Sequence, residues 1–207
     1  MTWFLRNWDQ VAVALGQHVT IVLTALVIAF AIALPVGIIA ARNARVYAIA
    51  ITVAGFLYTI PTLAFLALLI PLVGLGRTNA IIAMVAFSLV VLIRNIATGI
   101  RQVPPDIVDA ARGMGMTPSQ ILRQIETPLA IPVVFAGLRT AAVQVVSGAV
   151  LAAFIGGGGL GDFITAGIAM MAMPQLLVGA IPVTLLSLST DYLFGTLERR
   201  LTPRGIR

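Results

Sequence analysis

Five stretches of this chain run for twenty or more residues with almost no charge, and nothing else constrains its folding so strongly. A bilayer core takes about 20 mostly apolar residues per helix. The stretches 19–41, 47–73, 78–100, 132–156 and 176–197 meet that length. None alternates with period two, which argues against a β-barrel. Of 207 residues, 60% are hydrophobic and 10% charged, whereas a soluble domain carries roughly 25% charged residues. The mean hydropathy is +1.07. A water-soluble domain, a disordered chain and a disulfide scaffold are excluded. The expected fold class is all-α integral membrane, with five transmembrane helices.

The scarce polar residues narrow the chemistry. There is no cysteine, so thiolate metal sites and cysteine nucleophiles are impossible, and a lone histidine, His18, excludes a multi-histidine metal site. His18 falls where the first stretch begins and reads as an interfacial residue. All thirteen basic residues are arginine. They sit at the ends of the apolar runs, a pattern of membrane topology and not of nucleic-acid binding. Arg42, Arg45, Arg101, Arg112, Arg123, Arg199, Arg200, Arg204 and Arg207 fall on one side of the spans, against Arg6 and Arg77 on the other. This asymmetry predicts an outer N-terminus and a cytoplasmic C-terminus. Residues 1–18 do not read as a cleavable signal. Trp3, Phe4 and Trp8 suit a short interfacial helix at the outer face, although a floppy terminus fits equally.

The cytoplasmic segment 101–131 is too structured for a plain connector. Pro104 and Pro105 open one short helix, with Asp106 and Asp109 early, where carboxylates favour the positive end of the dipole. Ile107, Ala110, Ala111 and Met114 share one face, and Gly113 and Gly115 end the helix. A second helix starts at Thr117 as N-cap, with Pro118 at N1 and Gln120 completing a capping box. Ile121, Leu122 and Ile125 give its apolar face, and Pro128 is expected to stop it. Such a pair either lies on the membrane surface or docks a cytoplasmic partner.

The order Asp109-Ala110-Ala111, three residues, Gly115, nine residues, Ile125, two residues, Pro128 resembles the E-A-A-x3-G-x9-I-x-L-P loop of the permease subunits of binding-protein-dependent ABC importers. Aspartate replaces glutamate, and Thr127 replaces leucine. The resemblance implies the type I importer permease fold with a cytoplasmic coupling-helix loop, seated in a cleft of an ATPase subunit. Asp109, Ala110, Ala111, Gly115, Ile125 and Pro128 would form that docking loop. The stretches 57–64 (LYTIPTLA), 93–100 (IRNIATGI) and 154–161 (FIGGGGLG) narrow the likeness to osmoprotectant permeases for glycine betaine, carnitine or choline. The implied partners are two copies of an ABC ATPase subunit, a second permease subunit, identical or related, an extracytoplasmic solute-binding protein and the lipid bilayer. No cofactor belongs to this chain. ATP and Mg would be bound by the ATPase, since a chain without lysine cannot make a G-x-x-x-x-G-K-[ST] loop.

Three units follow: an outer-face segment 1–18, a transmembrane domain 19–198 with its coupling loop at 103–128, and a cytoplasmic tail 199–207. Gly156, Gly158 and Gly161 satisfy G-x-G-x-x-G without the strand-then-helix context of a dinucleotide site. They read instead as a flexible outer turn entering a re-entrant segment, 160–174. Gly157, Gly158, Gly159 and Gly161 would then face the binding protein. Arg94, Arg139 and Asp191 are charges inside spans, and Asp191 is expected to pair with one of the arginines. Pro35, Pro61, Pro71 and Pro182 are candidate kinks. The translocation path or gate is expected among Tyr58, Pro61, Phe65, Phe87, Arg94, Asn95, Arg139 and Asp191. The aromatic members suit a quaternary ammonium solute through cation–π attraction. Rival readings are a permease for another small solute such as methionine, an ion-coupled secondary transporter, and a non-transporting scaffold.

Overall fold

The computed structural model describes residues 7–202, and every regular element among them is helical. Helix α1 (Trp8–Arg42) is followed by α2 (Ala44–Thr59), α3 (Thr62–Val73) and α4 (Arg77–Arg101). Two short helices, α5 (Pro105–Gly113) and α6 (Pro118–Ile121), lead through a π turn (Leu122–Glu126) into α7 (Thr127–Gly148). A 3-10 segment (Ala149–Ile155), α8 (Gly161–Ala169) and α9 (Met173–Leu201) complete the chain. Helices α1, α4 and α9 and the continuous run Pro118–Ile155 are each long and apolar enough to cross a membrane. The α2–α3 pair makes a fifth span if its bent halves count as one.

The first helix is longer than the apolar run alone suggests. It starts at Trp8 and passes through residue 18 unbroken, so the expected boundary between an interfacial segment and a span is not a structural break. Trp3 and Phe4 lie outside the described residues. The stretch 47–73 is not one straight span either. Pro61 disfavours helical geometry at the residue before it. Ile60 accordingly adopts φ −69° and ψ 127°, and α3 leaves at 100° to α2. Pro35, Pro71 and Pro182, by contrast, stay inside continuous helices.

The bundle is held by close approach of small residues. Ala25, Ala29, Ala33 and Gly37 recur every four residues on α1, and all are buried. This face packs on α4, where a Cβ added at Gly37 would lie 2.6 Å from Ile96 Cγ2. Helix α4 packs in turn on α7, where a Cβ at Gly137 would collide with Asn95 Cβ. Among apolar lipids the hydrophobic effect does not favour helix association, so van der Waals contact between backbones must supply it.

At the loop end, Thr117 and Gln120 form the reciprocal capping box their spacing predicts. Gly115 has φ +84°, a left-handed turn that separates α5 from α6. Pro128, however, does not stop the second helix. The π turn widens the backbone just before it, and the Thr127 N–H and Oγ1–H both donate to the Leu122 carbonyl. The wider turn makes room for a ring that would otherwise clash with the preceding turn. The chain therefore runs from the loop into α7 as one element.

Gly37→Val should overpack the α1–α4 crossing and cost about 1–3 kcal/mol. A Cβ at Gly16 meets nothing within 4 Å, so Gly16→Ala should melt like the wild type. Thermal unfolding of the detergent-solubilised protein measures both.

Candidate functional site

The break between α2 and α3 opens a cavity of about 520 Å³ against α4 and α7. Its walls include Tyr58 and Pro61 from the break, Phe87 and Ser88 from α4, and Gln144 and Ser147 from α7. The Tyr58 and Phe87 rings meet edge to face at 6.4 Å between centroids. The expected path residue Phe65 is not in the wall. It is buried behind Phe87, with ring centroids 5.3 Å apart, and backs that ring. Gln144 Nε2 lies 3.4 Å from the Tyr58 hydroxyl, while Gln144 Oε1 is buried with no hydrogen-bond partner among the described residues.

Gln144 also borders a second hollow, shared with Thr140, Arg139 and Asp191. Residues 136, 139, 140, 143, 144 and 147 follow helical spacing, so one stripe of α7 serves both hollows. Of the two intraspan arginines, Arg139 is the one that pairs with Asp191. It donates through Nε to Oδ1 at 3.0 Å and through Nη2 to Oδ2 at 2.9 Å. Its Nη1 lies 3.5 Å from Glu198. The fork holds α7 to α9, with one cation set against two carboxylates. Arg94 is exposed and has no ion pair among the described residues. Asn95 is used internally: its amide donates to the Val91 carbonyl, and its side chain fills the α4–α7 crossing at Gly137.

The loop divides its residues sharply. Asp109 and Ala110 are exposed, and so are Ile107 and Met114, the last 75% exposed. Ala111 is buried at 1%, so the apolar face expected from spacing is split. Ala111 faces the protein, and Ile107, Ala110 and Met114 face outward. Ile125 and Pro128 are half-buried in the run that enters α7. Asp109 pairs with Arg112 at 3.0 Å on an open surface, where such pairs contribute little.

Two arginines, which charge counting sees only as topology markers, tie this loop to the bundle. Arg42, at the end of α1, donates to the buried Glu126 carboxylate in the π turn at 2.6 Å. Arg101, at the end of α4, donates to the Ala40 and Ala41 carbonyls, satisfying the end of α1, and its guanidinium lies 4.3 Å from the Tyr47 ring centroid. A basic residue that meets a glutamate 84 residues away is invisible to periodicity.

At the opposite end, the glycine turn is packed and not open. Gly157, Gly159 and Gly161 are buried. The Gly159 N–H donates to Gln17 Oε1 at 3.0 Å, and a Cβ at Gly158 would lie 2.5 Å from the same oxygen. With φ values of +77° and +95°, Gly158 and Gly159 use backbone geometry that other residues rarely adopt. The glycines thus serve close packing, leaving Gly156 and Phe154 as the exposed residues of the turn. His18 lies ten residues into α1 and is fully buried within the protein. Its Nε2 lies 3.0 Å from the Val146 carbonyl and links α1 to α7. Burial pushes the Asp162 carboxyl, at the start of α8, above its ordinary value. No cluster of three or more metal-ligating side chains occurs among the described residues.

Residues 33–203 match the family model of the binding-protein-dependent transport system inner membrane component. The chain belongs to that family. Curated members align with most or all of its length. It is 42% identical to the carnitine transport permease of Listeria monocytogenes over 100% of this chain and 95% of that one. It is 40% identical to a choline transport system permease of Bacillus subtilis over 92% and 88% respectively. A solved inward-facing structure of the MetNI methionine ABC transporter superposes with a TM-score of 0.86 at 19% identity, covering 96% of this chain and 99% of that one. An amino acid ABC transporter structure gives 0.79 at 18% identity, covering 96% and 97%. The chain therefore has the ABC type I importer permease fold and is a multi-pass membrane transport subunit. As a member of that family it is a component of a binding-protein-dependent transport system.

Arg42→Ala would leave the buried Glu126 carboxylate without its partner. The expected cost is about 1–3 kcal/mol, the penalty of an unsatisfied buried group. Glu126→Gln, which can still accept a hydrogen bond, should melt closer to wild type in the same detergent assay.

Proposed function

We propose that this chain is the permease subunit of an ATP-driven importer for a small osmoprotectant of the glycine betaine, carnitine or choline type. The observation that carries the solute class is full-length similarity to permeases named for carnitine and choline. The neutral, partly aromatic cavity at the α2–α3 break is consistent with it. A second permease subunit, identical or related, completes the enclosure, since the cavity and the Arg139–Asp191 stripe lie open on one side of a single chain. Two ATPase subunits dock on the loops at 103–128, and an extracytoplasmic binding protein delivers solute at the glycine-turn end. The arginine asymmetry sets the N-terminus outside and the C-terminus in the cytoplasm.

Force enters through the outward face of α5. Ile107, Ala110 and Met114 form an apolar surface that a soluble partner would cover. Movement of that knob passes through Glu126 to α1 and through the π turn to α7, which carries the stripe bordering both hollows. Alternating access then follows from a population shift driven by ATP binding in the partner.

The test is co-purification of the ATPase with this chain from native membranes. Ala110→Arg, placed on the exposed face, should lose the ATPase while the permease remains folded. Gly115→Arg, which also forces a side chain into left-handed backbone, should lose it too. Recovery of an intact wild-type permease complex without any ATPase would overturn the reading.

A further inference from the structure

We infer that the cavity at the α2–α3 break is a solute site of the permease itself, built to hold a small quaternary ammonium cation. The inference rests on the proposed solute class, and it adds where inside the permease the solute is held. The volume of about 520 Å³ falls within the roughly 300–1,000 Å³ of small-molecule sites.

The lining lacks any aspartate, glutamate or arginine, yet it is not merely apolar. Tyr58 and Phe87 contribute ring surface, and Phe65 fixes Phe87 from behind. A permanently charged ammonium without N–H groups cannot use hydrogen-bond acceptors as a lysine would. It is attracted by aromatic faces, which quaternary ammonium sites commonly employ. The end of α2 and the start of α3 both lie in this wall, so their opposite partial charges offset and the ring faces carry the attraction. Broken helices place such ends beside solute in membrane transporters. Gln144, whose Nε2 lies 3.4 Å from the Tyr58 hydroxyl, adds a polar group to the wall. On the loop side, the Arg139 guanidinium is set against two carboxylates, Asp191 and Glu198, so its charge is compensated.

A lipid tail is the rival occupant. It would fill the hollow without needing charge or ring faces. The experiment is equilibrium binding of radiolabelled choline to the purified permease–ATPase complex in the absence of the binding protein. Saturable binding is expected. The uncharged carbon analogue 3,3-dimethyl-1-butanol should fail to displace it at equal concentration. Tyr58→Leu, on a half-exposed position, should weaken binding roughly tenfold, and Tyr58→Phe should restore it. No saturable binding, or equal displacement by the neutral analogue, overturns the inference. Choline, glycine betaine and carnitine uptake by cells carrying the intact importer runs alongside. Uptake without binding refutes the permease site and leaves the function standing. Absence of uptake of all three refutes the functional reading and this inference with it.

Discussion

Ala25, Ala29, Ala33 and Gly37 give α1 a smooth side, and the rest of the bundle depends on that surface. In a membrane, lipid chains compete with side chains on nearly equal terms, so helices associate where their backbones come closest. At Gly37 the approach to Ile96 leaves no space for a methyl group. At Gly137 the approach to Asn95 is equally closed. These two crossings make α1, α4 and α7 one rigid core, pinned at one end by His18 and Val146 and at the other by Arg101 and the carbonyls of α1.

Around that core, backbone irregularities lie where a transporter can use them. The α2–α3 break builds a cavity wall, and the π turn joins the short loop helices to α7 without an intervening linker. Both arise at or just ahead of a proline, for the same reason: a missing donor and a ring that crowds the preceding backbone. The outcomes differ because Ile60 leaves helical geometry altogether, whereas the residues before Pro128 widen the helix. Arg42 and Glu126 add a second route from the loop into the core. The loop is therefore joined to two helices, α1 and α7.

Local chemistry made much of this legible in the sequence. The Thr117 capping box and the Gly115 elbow follow from spacing alone, because caps and left-handed turns are local events. The apolar runs locate the long helices, though not their ends, since α1 extends well past its apolar stretch. What stayed hidden is tertiary. Nothing near His18 in sequence indicates that Val146 awaits it, and no count of arginines shows Arg42 reaching a glutamate 84 residues away. The four-residue repeat of small residues on α1 was present in the sequence and carries a physical meaning in membranes. Reading the stretch only for hydropathy conceals it, because alanine counts as apolar wherever it falls. The glycine turn misleads in the opposite way: a run of glycines suggests looseness, while Gln17 and His18 pack against it.

The central claim is that transport energy comes from ATP in a partner and reaches this chain through its loop. The most direct measurement reconstitutes the complete complex in proteoliposomes and follows uptake of radiolabelled choline, glycine betaine or carnitine with loaded binding protein outside. Uptake should require ATP on the side of the docking loop and should be indifferent to ionophores. Uptake that persists without ATP and collapses with the ion gradient would contradict the account and make the chain an ion-coupled carrier.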